Sequence, residues 1–364
     1  MKELDGIENN IEESQETVQP ATVVARADLA DVHSLASQLI NVLHDVPEGD
    51  LIGEIVANAL KLLRDQTNRG DIKLIDKSLK EFRYAMKVFA PYRDIRKISI
   101  FGSARTPENH EDYQQAAIFA KVMAEAGWMV ITGAGGGIMA AGHGGAGPET
   151  SFGLAIRLPF EQATNKHIAN DKKLINFKYF FTRKLMFVRS SHAIALFPGG
   201  FGTMDEGFEV LTLVQTGKSV PIPIVFVDSP GGDYWKQWQT YVDEQLVSRG
   251  LVGQHDSRLY KITDDIDEAV REVRHFYSNY HSLRYFRNEV ILRLHHPVEK
   301  AELAEISRQF ADLAESGTFR ASEALAVERD EPALLELPRL VFRFNRRDHA
   351  RLRVLIDFLN DLHK

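Results

Sequence analysis

The residues with the clearest chemical potential lie at 198–206, where the sequence reads Pro-Gly-Gly-Phe-Gly-Thr-Met-Asp-Glu. Three glycines in this segment permit positive φ angles and free their backbone amides: Gly199, Gly200 and Gly202. Thr203 is of a type that often caps a helix N-terminus, so we predict that a helix begins there. Free amides at a helix N-terminus, together with the helix dipole, form a site for a phosphate group.

Glu206 follows this predicted phosphate site by about one helical turn. A carboxylate near a phosphate is repelled by it, so its presence at this position needs a reason. In one interpretation, Glu206 faces cationic charge that develops on a ribose as the bond to its base breaks. In the other, it is an acid in the first turn that the helix dipole favours. The residues alone leave both interpretations open.

Two further strand ends carry glycine turns. In the first, Gly102 lets backbone amides approach a ligand, while Ser103 and Arg105 can donate hydrogen bonds to an anion. The second, at 132–139, lies between a strand and a helix but lacks the acid of a dinucleotide fingerprint about twenty residues later. It also lacks the lysine and hydroxyl residue of a Walker loop. We predict that it cradles a phosphate or lets a base lie against the backbone.

The elements that must position these turns alternate between apolar β-rich runs and helical patterns over residues 96–282. This alternation favours an α/β fold with a doubly wound parallel sheet. The predicted strands are 97–101, 129–132, 152–157, 193–197, 222–227 and 260–262. The predicted helices are 111–126, 183–190, 204–215, 234–249 and 265–277. Ligands of such sheets bind at the carboxyl ends of the strands, where all three glycine turns lie.

The flanking regions are predicted to carry no chemistry. Residues 1–28 are polar and acidic and are interpreted as a disordered tail. Apolar residues at helical spacing over 29–95 predict a helical region with three helices. Residues 283–364 are predicted to form a small α+β domain, with strands at 290–294 and 339–344 and helices at 298–315 and 348–362. Six arginines between 339 and 353 are interpreted as a solvated basic face rather than as an anion site.

Composition narrows the classes of function. The 364-residue chain has 44 Lys and Arg against 51 Asp and Glu, a net charge of −7, which disfavours nucleic acid as a partner. It has no cysteine, which excludes disulfides and thiolate metal sites and favours a reducing cytoplasm. No apolar stretch is long enough for a membrane span, and the acidic start does not resemble a secretion signal. We therefore expect a cytoplasmic protein with neither nucleic acid nor membrane as a partner.

The segment 198–206 and the sequence Arg-Lys-Leu-Met at 183–186 together resemble the paired signature of the Lonely Guy family. These are cytokinin-activating phosphoribohydrolases that are often labelled lysine decarboxylases. The resemblance covers about residues 97–280 and implies a Rossmann-like homodimer that hydrolyses nucleoside 5′-monophosphates to free base and ribose 5-phosphate. Phe181 and Thr182 stand where short plant-type members have histidine and glutamate, which brings the chain closer to the longer bacterial purine-nucleotide nucleosidases.

The resemblance also implies a set of site residues. Arg183 and Glu206 match the catalytic pair. We expect the arginine either to keep the carboxylate ionised and oriented by lowering its pKa, or to bind the ribose phosphate. The predicted phosphate ligands are Gly199, Gly200, Gly202, Thr203 and Ser103. The predicted nucleoside contacts are Gly102, Gly135, Gly136, Gly137, Met139 and Lys184.

The expected ligand is a small nucleotide: AMP, another purine monophosphate, or a cytokinin riboside monophosphate. We expect no metal and no cofactor, and a homodimer or larger homo-oligomer. A nucleotide sensor or cofactor carrier that uses the same cradle without turnover stays open as the alternative.

Overall fold

The computed structural model of the chain describes residues 46–157 and 164–363, together with residues 38, 42 and 43. The predicted tail at 1–28 and most of the first predicted helix lie outside the described residues. The chain divides into two compact units, residues 1–77 and 78–364.

The first unit contains helix α1 (Gly49–Arg64) and the start of helix α2 (Arg69–Phe89). The side chain of Asn68 accepts a hydrogen bond from the Asp71 amide at 3.0 Å, which satisfies one free donor at the beginning of α2. These helices confirm two of the three that the apolar spacing predicts.

The second unit is built on a seven-stranded parallel sheet with strand order β4-β3-β2-β1-β5-β6-β7. Its strands are β1 (Lys97–Phe101), β2 (Met129–Thr132), β3 (Ser151–Ile156), β4 (Leu174–Phe177), β5 (Ala193–Leu196), β6 (Ile224–Val227) and β7 (Lys261–Thr263). The predicted parallel α/β fold is confirmed, and six of these strands lie within two residues of their predicted bounds. β4 was not predicted, because this short edge strand alternates between buried and accessible residues and has no continuous apolar run.

Helices cover both faces of this sheet. They are α3 (Glu111–Glu125), α4 (Ile138–Ala146), α5 (Phe180–Ser190), α6 (Phe201–Gln215), α7 (Tyr234–Tyr241) and α8 (Ile266–His275). Successive residues of a strand point to opposite faces, so Ile100 packs in one apolar cluster with α3 and α8, while Phe101 packs in another with α5 and α6. The helix predicted at 234–249 stays α-helical only to Tyr241 and continues as a π-helical segment, Val242–Val247.

The C-terminal region forms a four-stranded antiparallel sheet with strand order β10-β11-β9-β8. Its elements are β8 (Tyr280–Phe286), β9 (Glu289–Leu294), α9 (Lys300–Gln309), β10 (Ala314–Ser322), β11 (Arg339–Phe344) and α10 (His349–Asp361). The predicted helix 298–315 is therefore wrong beyond Gln309. β10 contains few apolar residues and has a register shift against β11, so its own pattern does not identify it.

Two of the six C-terminal arginines are buried, which corrects the predicted solvated face. Arg339 Nε donates to Glu328 at 3.2 Å, and both side chains are almost completely buried. Arg353 donates to Asp357 at 2.9 Å and to Glu272. Buried charges require partners of this kind. Glu272 lies 81 residues before Arg353, and Glu328 is separated from Arg339 by a turn region, so arginine spacing cannot reveal the pairs.

Candidate active site

The candidate site lies where the strand order of the parallel sheet reverses. β1 lies between β2 and β5, so the loops that follow β1 and β5 diverge to opposite sides of the sheet and leave a crevice. The Ser103 amide donates to the Pro198 carbonyl at 3.0 Å, and the Ile138 amide donates to the Ser103 carbonyl at 3.0 Å. These two bonds bring the three glycine turns together at one edge of the sheet.

A cavity of about 760 Å³ opens at this crevice. It is large enough for a nucleotide, since small-molecule sites span roughly 300–1,000 Å³. Nine of the predicted site residues line it: Gly102, Ser103, Met139, Arg183, Gly199, Gly200, Gly202, Thr203 and Glu206. The other predicted nucleoside contacts, Gly135, Gly136, Gly137 and Lys184, do not line it.

The loop at 198–200 leads directly into α6. Gly200 occupies the N-cap position, so the prediction that Thr203 caps the helix is wrong; Thr203 lies buried inside the first turn and donates its amide to the Gly200 carbonyl at 3.0 Å. The helix begins earlier than predicted because Phe201 and Gly202 also adopt helical geometry.

The glycines of this loop serve close approach rather than positive φ, which none of the three adopts. A Cβ at Gly199 would lie 2.2 Å from Thr203 Oγ1 and 2.9 Å from the Ser103 amide, so only glycine fits there. A Cβ at Gly200 or Gly202 would have no atom within 4 Å. Packing within the chain therefore gives no reason for glycine at these two positions, whereas a ligand held against the backbone does.

The glycine run after β2 supports the cavity wall. Gly137 has φ +57°, and a Cβ there would lie 2.1 Å from the Ser103 carbonyl oxygen. Gly136 packs against the Ala104 carbonyl, and the Gly135 carbonyl accepts a hydrogen bond from Asn165 Nδ2 at 2.9 Å. The run thus allows a tight contact between the loop after β2 and the loop after β1.

Arg183 and Glu206 face the cavity from α5 and α6. Glu206 is buried, with 5% of its surface exposed, and Arg183 is partly buried. Within the described residues, Arg183 Nε and Glu206 Oε2 are buried and have no hydrogen-bond partner. Buried polar atoms without partners are rare in folded proteins, and such atoms on a cavity wall are suited to bind a polar ligand.

Burial raises the pKa of Glu206, while the positive charges of Lys184 and Arg183 act in the opposite direction. Arg183 therefore acts on this pKa in the expected direction, but burial outweighs it and the net direction is upward. Burial also lowers the pKa of Arg183, against the favourable charge of Glu206. The physical reason is that removal of both groups from water costs more than their mutual attraction returns.

Lys184 lies beside the carboxylates of α6. Its Nζ is 2.6 Å from Glu209 Oε2, 3.0 Å from Asp205 Oδ2 and 3.5 Å from Glu206 Oε2. Burial lowers the pKa of Lys184, but hydrogen bonds to Glu209 and Asp205 outweigh burial and raise it. Lys184 is therefore a positively charged neighbour of Glu206.

Four aromatic residues that the sequence analysis did not select as site residues also line the cavity: Phe101, Phe180, Phe201 and Tyr234. Phe201 is 96% exposed, although it lies within the phosphate-loop motif. Tyr234 comes from the loop after β6, which carries no motif. Its hydroxyl donates to the Gly199 carbonyl, a contact that only the fold creates.

The described residues contain neither a metal-binding group nor a membrane-spanning helix. No group of three or more His, Asp or Glu side chains in this part of the chain is arranged to hold a metal ion. No helix there is long and apolar enough to cross a membrane.

Comparison with known proteins places the central region in a family. Residues 136–273 match the family model described as "Possible lysine decarboxylase". A cytokinin riboside 5′-monophosphate phosphoribohydrolase of Arabidopsis thaliana, LOG7, is 28% identical over 95 residues. That match covers 26% of this chain and 42% of the relative, so the chain aligns with less than half of the relative's length.

Among solved structures, the molybdenum cofactor binding protein of Rippkaea orientalis matches with a TM-score of 0.35 and 16% identity, over 50% of this chain and 94% of that chain. The Moco carrier protein of Chlamydomonas reinhardtii matches with a TM-score of 0.34 and 20% identity, over 50% of this chain and 96% of that chain. The family match spans both Arg183 and the loop with Glu206, and it confirms the resemblance seen in the sequence. Residues 136–273 therefore match a domain of the family described as "Possible lysine decarboxylase", the label that members of the Lonely Guy family often carry.

Proposed function

We propose that the chain hydrolyses the N-glycosidic bond of nucleoside 5′-monophosphates and releases a free base and ribose 5-phosphate. AMP and other purine monophosphates are the first candidate substrates, with cytokinin riboside monophosphates as a further candidate. The observation that carries this proposal is the Glu206 carboxylate, buried on the cavity wall in the same helix whose N-terminus forms the glycine cradle. Phosphate binding alone does not require a carboxylate there.

The cradle accounts for recognition of the phosphate. The N-terminus of α6 presents free backbone amides and a partial positive charge, and Gly200 and Gly202 leave room for a ligand close to the backbone. Ser103 adds a hydroxyl from the turn after β1, and Arg105 adds a positive charge to the same cavity. A phosphate held there brings the sugar of the nucleotide toward Glu206, about one turn further along the helix.

Glu206 then assists cleavage of the C1′–N bond. As the electron pair of the C1′–N bond moves to the base, positive charge develops on the ribose, and the carboxylate stabilises it. A water adds to C1′ and gives a proton to Glu206, while the departing base nitrogen takes a proton from solvent. Glu206 then releases its proton to solvent, so the reaction as a whole consumes one water. Glu206 must be ionised for this role. Burial disfavours the ionised form, and the positive charges of Lys184 and Arg183 favour it.

This mechanism predicts that the phosphate group contributes to catalysis as well as to affinity. Binding energy from the phosphate positions C1′ against Glu206, so the unphosphorylated nucleoside should be a much poorer substrate.

The deciding experiment is chromatography of AMP, GMP, IMP and CMP after incubation with the purified protein. We expect free base and ribose 5-phosphate in equal amounts from at least one purine monophosphate. If no monophosphate releases base while nucleotide still binds, the hydrolase proposal fails and the chain is a sensor or carrier.

A further inference from the structure

We propose that Tyr234 is a positioning residue for the phosphate cradle, because its hydroxyl holds the Gly199 carbonyl and so fixes the direction of the next amide. This inference rests on the proposed function, since it assigns a task to the 198–200 loop. Tyr234 lies outside both sequence motifs, at the start of α7, after the loop that follows β6.

The contact links two loops that are distant in sequence. Tyr234 is the first residue of α7, lines the cavity and donates its hydroxyl hydrogen to the Gly199 carbonyl oxygen. Burial raises the pKa of Tyr234, and the nearby Asp228 carboxylate acts in the same direction. The phenol therefore stays protonated and remains a donor at neutral pH.

Tyr234 is itself held on a rigid base. The buried Asp228 at the end of β6 accepts the Trp235 amide at 3.0 Å. The fully buried Trp235 ring packs edge-on against Phe226, with 4.6 Å between ring centroids, and against the Tyr234 ring at 4.8 Å. These contacts hold the backbone and ring of Tyr234 against core residues, and so they fix the position of its hydroxyl.

Planarity of the peptide bond turns this contact into control of the cradle. In a trans peptide the C=O and the following N–H point in opposite directions, so a fixed Gly199 carbonyl also fixes the Gly200 amide. The Ser103 amide holds the Pro198 carbonyl at 3.0 Å and fixes the Gly199 amide in the same way. Gly199 has no side chain to restrict the loop, so these two hydrogen bonds orient successive amides of the predicted phosphate site.

The test compares Tyr234→Phe with Tyr260→Phe. Tyr260 also loses one hydrogen bond, to Gln239 Oε1 at 2.7 Å, but it does not line this cavity. The measurements are kcat and KM for AMP, kcat/KM for adenosine, and the Kd of ribose 5-phosphate by calorimetry. For Tyr234→Phe we expect KM for AMP and Kd for ribose 5-phosphate to rise about five- to tenfold, as one lost hydrogen bond allows, with kcat changed less than about twofold.

In the same variant, kcat/KM for adenosine should stay at the wild-type value, because adenosine has no phosphate to use the cradle. Tyr260→Phe should leave all of these values unchanged. An equal loss for AMP and adenosine, or an unchanged Kd for ribose 5-phosphate, would overturn the inference. If the wild-type protein hydrolyses no monophosphate, the proposed function fails, but the ribose 5-phosphate comparison still decides the role of Tyr234.

Discussion

At the scale of single residues, the chemistry of the site depends on how much charge the fold allows near Glu206. Burial favours the protonated carboxyl, and Lys184 and Arg183 favour the carboxylate. Glu206, Lys184 and Arg183 all lie at or beside the nucleotide cradle, so a substitution of any one of them should alter turnover in a distinct way. Three substitutions, one at each residue, separate their roles.

Glu206→Gln keeps the shape of the side chain and removes its charge. We expect kcat for the best monophosphate to fall about a hundredfold or more, on the order of 3 kcal/mol, which is the scale of one lost electrostatic stabiliser. The Kd for AMP should stay the same or fall, because a carboxylate that repels the phosphate is gone. Asp205→Asn is the matched control, since this neighbouring acid is mostly exposed and also pairs with Lys184.

Glu206 lies beyond the first turn of α6, so the helix dipole gives little reason for this acid. Near-normal turnover by Glu206→Gln would therefore contradict its role in catalysis. Arg183→Ala should behave differently, with loss of activity and weaker AMP binding if the guanidinium also contacts the phosphate.

Lys184→Met should move the pH dependence of the reaction. Activity needs ionised Glu206, so kcat/KM should rise with pH through a pKa that burial places above the usual value. Without the Lys184 charge, that pKa rises further, and the acid limb of the kcat/KM profile shifts to higher pH. Lys121→Met, which breaks the exposed pair of Lys121 with Glu125, should leave the profile in place. An acid limb that does not move in Lys184→Met would rule out this role.

At the scale of elements, the position of α5 matters most, because this helix carries Arg183. The start of α5 is held by Glu81 of α2, which is 4% exposed. One carboxylate oxygen accepts the Lys178 amide at 2.8 Å, and the other accepts the Thr182 hydroxyl at 2.6 Å. The C-terminal part of α2 thereby contacts the start of the helix that carries Arg183.

Glu81→Gln should destabilise this junction. A glutamine amide has one acceptor oxygen in place of two, so one of the two hydrogen bonds to the buried carboxylate is lost, at a cost of roughly 1–3 kcal/mol. We expect a lower Tm and a lower kcat, measured by thermal unfolding and by base release. Thr182→Val, which removes one hydroxyl and leaves the Lys178 bond, should cost less. A Tm equal to that of the wild type in Glu81→Gln would contradict this account.

At the scale of the whole molecule, the helices beside the cavity leave large apolar side chains exposed. On α5, Phe181 and Leu185 are each 49% exposed, and on α6, Phe208 is 40% and Phe201 is 96% exposed. Apolar groups on adjacent elements next to a cavity are typical of surfaces that another chain covers. We propose that a second copy of this chain covers them, as the resemblance to homodimeric proteins implies.

Light scattering at micromolar concentration should therefore give at least twice the mass of one chain. Leu185→Glu should shift the mass toward the monomer, because a charge would be buried in the contact. Ile118→Glu is the control, because Ile118 is 48% exposed but lies on α3, which packs on the opposite face of the sheet. A monomer mass for the wild-type protein would refute the dimer.

The sequence by itself determined the elements and motifs that depend on neighbouring residues. Strands buried on both faces, such as β1 and β2, are rich in apolar residues and were predicted with their observed bounds. The cradle and Glu206 were predicted because a strand end, a glycine turn and a helix start follow one another in the chain. β10 was missed because it contains few apolar residues and is defined by its backbone pairing with β11.

Only the tertiary structure decided the contacts between distant residues. The Tyr234 hydroxyl contacts the Gly199 carbonyl, Glu81 contacts Thr182, and Arg353 contacts Glu272 through packing that no local pattern encodes. The raised pKa of Glu206 has the same origin, because desolvation depends on everything that surrounds a group. Local sequence fixes backbone hydrogen bonding and apolar periodicity, whereas charge balance and loop orientation arise only when separate elements pack together.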